Sequence, residues 1–154
     1  MNKATRPRVL GGLTVRMATG CGNMYIQLNW HQGKLFEVFA TLGRSGACAM
    51  CYSEALTRSV TTGLRCGVTV AEYVDQLRGI RCPSPIAFPK DQSSLSCPDT
   101  IARALIEYGS LTVDNVVKLM LEQNTSSAVS EEDEEKAAIA KIEEMRFERD
   151  KQGL

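Results

Sequence analysis

The chain has 154 residues, of which 44% are hydrophobic, with 18 basic side chains balancing 18 acidic ones. That length fits one domain with an appendage and excludes a second full domain, while the apolar content excludes wholesale disorder and makes disulfides unnecessary for a core. Neutrality speaks against a dedicated polyanion binder, yet the charge is divided: 11 basic and 4 acidic residues up to Lys90, then 7 basic and 14 acidic.

The opening residues, Met1 to Arg8, lack the apolar run of a secretory signal. No stretch reaches the ~20 apolar residues of a membrane span, so the sequence predicts a soluble, cytoplasmic protein with no membrane contact. From Leu13 through Met17 apolar residues alternate, as they do at Met24, Ile26, Leu28 and Trp30, and a turn at His31-Gln32-Gly33-Lys34 leads into Leu35 to Leu42. Period-2 patterning with a glycine-bearing turn predicts three antiparallel strands at about 10–18, 23–31 and 35–42.

After Gly43-Arg44-Ser45-Gly46 the period changes. Ala49, Tyr52, Leu56 and Val60 fall at helical spacing, predicting a helix over 47–64 that Gly67 stops. Thr69 to Glu72 reads as a capping box opening a second helix through Leu77, closed by Gly79. Cys82 to Pro89 holds three prolines and is a rigid connector. Ser96-Cys97-Pro98-Asp99 offers a cap, a helix-opening proline and a first-turn acid, so a third helix starts near Pro98. A further helix is expected over 112–123, then a linker from Gln123 to Ser130. The acidic run Glu131 to Glu135 opens a last helix, with Ile139, Ile142 and Met145 as a narrow apolar stripe and Lys151 at its far end. The expected class is α+β: a three-stranded antiparallel sheet, helices packed on one face, cysteine-rich loops and a separate acidic C-terminal helix. The expected division is a domain over 1–110, an additional helix over 111–124 and an acidic helical tail over 125–154.

Six cysteines in a reducing compartment point to metal binding or redox chemistry more than to disulfides. Cys21, Cys48, Cys82 and Cys97 each fall at a junction between elements, where ligands for tetrahedral zinc can converge. Their spacings match no ordinary zinc-finger rule, and four scattered thiols acting as small hydrophobes fit the same pattern. Cys48-Ala49-Met50-Cys51 is a Cys-x-x-Cys at a helix start, where the dipole lowers a thiol's pKa. It reads as a redox pair, as two ligands of one zinc, or as neither, since a meander and not a βαβ unit precedes it. Cys66 reads as a buried thiol and His31, the single histidine, as a surface turn residue. Gly11-Gly12 and Gly20-Cys21-Gly22 lack the strand, loop and helix order of a phosphate loop and read as bends. Arg6, Arg8, Arg44 and Arg81 are the candidate phosphate contacts of the basic body, against the alternative of plain solubilising charge.

Several pieces in order resemble the TSCPD domain, the C-terminal module of vitamin B12-dependent ribonucleotide reductases, which also occurs as small separate proteins. Arg6 to Leu10 with Gly12 and Thr14, then Thr19 to Tyr25, resemble its opening. Phe36 to Gly43, followed by Gly46 and Cys48, resemble its middle. Gly79 to Pro83, and Ser96 to Asp99 with Ile101 to Leu105, complete it. The resemblance independently picks Cys21, Cys48, Cys82 and Cys97 as a four-thiolate metal set, with zinc the implied ion, and leaves out Cys51 and Cys66. Leu95 stands where the motif has threonine, no catalytic barrel is present, and the helical and acidic extension has no cysteine. The implied function is a non-catalytic accessory or regulatory protein acting through a protein partner, a reductase or a second copy. Its alternatives are a thiol-redox partner using Cys48 and Cys51, or a nucleic-acid or phosphate binder with the acidic tail as internal competitor.

Overall fold

A computed structural model describes residues 2–42, 48–87, 93–112 and 114–122. Three strands, β1 (Gly11–Thr19), β2 (Gly22–His31) and β3 (Lys34–Leu42), form one antiparallel sheet in the order β1-β2-β3. Helices α1 (Cys48–Arg65), α2 (Val70–Leu77) and α3 (Cys97–Tyr108) follow, and then α4 over 114–122. This is the expected α+β arrangement. Among the described residues no helix is long and apolar enough to cross a membrane. Met1–Val116 is one compact unit; of the second, which starts at Val117, the described part is helical through 122. The expected linker and acidic helix, together with Arg44, lie outside the described residues.

The register explains the core. Leu13, Val15 and Met17 pair with Leu28, Ile26 and Met24, which in turn pair with Val38, Ala40 and Leu42, so one face is apolar across all three strands. Met24, Ile26, Leu28 and Val38 are fully buried there, beneath Ile101, Ala104 and Leu105 of α3. Both hairpins turn in two residues. Gln32 and Gly33 close β2–β3 with φ of 51° and 73°, the doubly left-handed turn that matches strand twist. Phe36 is the extra residue of a bulge opposite Asn29 and Trp30.

Helix α1 packs on β3 and closes the sheet's open edge. The Thr61 hydroxyl accepts from the Val38 N–H at 2.9 Å and donates to the Val38 carbonyl at 2.8 Å, as a neighbouring strand would. Helix α2 opens with the expected capping box between Thr69 and Glu72 and packs on α3. On the opposite sheet face Gly12, Asn29 and Glu37 lie in register, and a Cβ on Gly12 would meet the Asn29 side chain. Glu37 is 1% exposed there, accepting from Arg6 Nε at 2.7 Å and from Asn29 at 3.4 Å. A buried carboxylate needs such partners, and they fasten the N-terminal segment to the sheet.

Candidate functional site

The β1–β2 turn carries the first thiol. Thr19 shapes the turn, its hydroxyl donating to the Gly22 carbonyl at 2.8 Å and accepting from the Cys21 N–H at 3.2 Å. Gly20 has no side chain because the Ser84 carbonyl occupies the space a Cβ would take. That close approach lays the turn against the proline connector, which carries Cys82.

The connector is fastened in turn to the start of α3. Cys82 N–H donates to the Leu95 carbonyl at 3.0 Å, and Ser96 Oγ donates to the Ile80 carbonyl at 2.6 Å. Ser96 is also the N-cap of α3, accepting from the Asp99 N–H, with Pro98 in the first turn. Asp99 reaches back with both oxygens, accepting from the N–H groups of Gly79 at 2.8 Å and Leu95 at 3.2 Å. In the Ser-Cys-Pro-Asp run, Ser96 thus caps the helix, Cys97 supplies the thiol, Pro98 opens the helix and Asp99 clamps the connector.

Cys21, Cys82 and Cys97 consequently line one cavity of about 440 Å³, with Ala49 and Leu56 of α1 as its apolar wall, Ser53 between them and Tyr52 at its edge. Burial, and next the neighbouring Cys21, push the Cys97 thiol up from its ordinary value, which keeps it protonated near neutrality. The Cys97 thiol lies 4.0 Å from Thr19 Oγ1. Ser53 is 2% exposed, and its hydroxyl faces the Cys97 sulfur, where a hydrogen bond favours the thiolate form. A sulfur accepts a hydroxyl hydrogen bond weakly as a thiol and more strongly once charged, so Ser53 is placed to serve Cys97 as a thiolate or metal-bound sulfur.

Cys48 is exposed at the first residue of α1, immediately before the lining residue Ala49. Cys51 is exposed too, and at 100° per residue it falls on the side of α1 away from Ala49, Ser53 and Leu56. Of the four cysteines expected to act together, the fold gathers Cys21, Cys82 and Cys97 on one cavity, and Cys48 is not in its wall. Among the described residues no three His, Cys, Asp or Glu side chains stand close enough to grip an ion as placed. The donor chemistry nevertheless suits zinc: soft sulfurs, an apolar wall, and a hydroxyl in the second layer. Arg6 is committed to Glu37, and Arg8 and Arg81 are exposed. Cys66 is half-buried, and His31 packs edge-on against Phe36 at 5.3 Å. Sequence reasoning missed Ser53, although it sits at helical spacing among the wall residues as the one polar member of that stripe.

The family model described as the TSCPD domain matches residues 2–109. The chain belongs to the TSCPD-domain family. No curated protein and no solved structure matches it. In this TSCPD chain the match ends at Gly109, directly after α3, so every element that builds the thiol cavity lies within it. Leu95, in the threonine position of the motif, contributes its N–H to Asp99 and its carbonyl to Cys82, so the clamp runs through backbone groups that any residue but proline supplies.

Proposed function

We propose that this TSCPD protein is a non-catalytic accessory or regulatory module, related to the C-terminal module of the ribonucleotide reductases, whose cysteines hold a structural zinc. The observation that carries the reading is the convergence of Cys21, Cys82 and Cys97 on one cavity, with the buried Ser53 hydroxyl turned to the Cys97 sulfur. The three thiols come from a hairpin turn, a proline connector and a helix start, segments otherwise joined by the Ser96 and Asp99 hydrogen bonds, the Cys82–Leu95 backbone bond and the Gly20–Ser84 contact. Cys48 is the fourth ligand in this reading, one turn of α1 before the edge residue Tyr52. Zinc bound there supplies folding free energy and holds the thiolate charges; the protein's part is to position the sulfurs and exclude water.

The module works in the cytoplasm through a protein partner, a reductase or a second copy of itself. Tyr52, 74% exposed at the edge of the cavity, is the kind of aromatic anchor such contacts use. The experiment is metal analysis of protein purified without chelator. Wild type should hold about one zinc per chain, lost in Cys21→Ser, Cys82→Ser and Cys97→Ser and retained in Cys51→Ser and Cys66→Ser. Metal-free wild type with Cys48 and Cys51 readily oxidised would replace this reading by the thiol-redox one, which the exposure of both thiols in the first turn of α1 favours.

A further inference from the structure

Away from the thiol cavity, at the β2–β3 end of the sheet, lies a cleft of about 620 Å³ that nothing in the zinc reading uses. Its rim carries His31, Lys34 and Arg65, and none of its lining residues is Asp or Glu. His31 and Lys34 are directly opposite each other across the Gln32-Gly33 turn, so their side chains share a face. An imidazole N–H beside an ammonium group offers two adjacent donors to an anionic oxygen. Among the described residues the salt bridges of Arg6, Arg58 and Lys118 involve neither Lys34 nor Arg65. Glu72, close by in sequence to the wall residue Val70, is turned into the capping box of α2.

Arg65 is aimed and held. Its Nε and one Nη donate to the Ala4 carbonyl at 3.0 and 2.7 Å, and its guanidinium lies 5.4 Å over the Phe36 ring. The other Nη is left for an acceptor, and a guanidinium already positioned loses less entropy on gripping one. The same cleft has apolar wall residues, Leu64 and Val70 among them. The volume falls within the ~300–1,000 Å³ of small-molecule sites. We infer that this cleft binds a small organic phosphate monoester, its phosphate among Lys34, Arg65 and His31 and its apolar body against Leu64 and Val70. Neither the thiol cavity nor any metal takes part in this binding.

The test is a titration of the full chain, at low salt, with phenyl phosphate, inorganic phosphate and phenol, followed by backbone amide NMR. Phenyl phosphate should saturate in the millimolar range or below, more tightly than inorganic phosphate and with no response to phenol. The amides of Gly33, Gly67 and Gly109 should shift while those of Gly20 and Gly22 stay. Lys34→Glu, at an exposed turn, and Arg65→Gln should each weaken binding about tenfold or more, and Arg58→Glu, elsewhere on α1, less than about twofold. Absence of saturation at about 10 mM, equal weakening by Arg58→Glu, or shifts centred on Gly20 and Gly22 would each overturn the inference. So would binding confined to a DNA oligonucleotide, which would mean a diffuse basic surface and not a site.

Discussion

A few side chains decide how this chain is held together, and most of them are polar. Glu37 sits on the sheet face opposite the helices and is buried all the same, because Arg6 and Asn29 answer it. Removing Arg6 leaves that carboxylate without its charged partner. Arg6→Ala should cost about 1–3 kcal/mol in urea unfolding, against under about 0.5 for the exposed Arg8→Ala. Equal effects would show that the ion pair does not anchor the N-terminal segment. This pair was illegible in the sequence, where Arg6 and Arg8 looked alike. What separates them is a partner 31 residues away. Ser53 was illegible for the same reason, since a serine on an apolar helix stripe has no meaning until the opposing thiols are known.

At the scale of elements the sequence was far more legible. The strand alternation, the Gln32-Gly33 turn, the Thr69 capping box and the Ser96 cap each rest on local chemistry, and each element stands within a residue or so of its expected limits. What local pattern could not reveal is the role of α1 at the sheet edge, because the Thr61–Val38 hydrogen bonds join residues 23 apart. Nor could spacing alone tell which thiols meet. The glycines of the β1–β2 turn read as a bend, and Gly20 proves to be more narrowly constrained than a bend requires. It lets the turn lie on the Ser84 carbonyl, which brings Cys21 to the cavity that Cys82 lines. Gly20→Ala should therefore cost about 1–3 kcal/mol by thermal or urea unfolding and loosen zinc, whereas Gly11→Ala, with open space at its Cβ, should do neither. A Gly20→Ala protein of wild-type stability and metal content would contradict the close packing.

For the whole molecule, the sheet and helices form a scaffold with two separate features: a thiol cavity built by hairpin turn, connector and helix start, and a cationic cleft near the Gln32-Gly33 turn. The described fold accounts for the first as a place where chain segments with little shared core are drawn together. Metal binding there would be folding free energy, so the stability of the module would depend on it. The divided charge of the chain remains a property of the sequence, since the acidic residues beyond 122 lie outside the described structure.

X-ray absorption at the zinc edge reads the ligand shell itself and so decides whether the gathered thiols hold zinc. For wild-type protein purified without chelator a shell of about four sulfurs at ~2.3 Å is expected, and Cys97→Ser should lose that sulfur-bound zinc. A shell dominated by nitrogen and oxygen, or a sulfur shell unchanged by Cys97→Ser, would show that the gathered thiols are not the ligands.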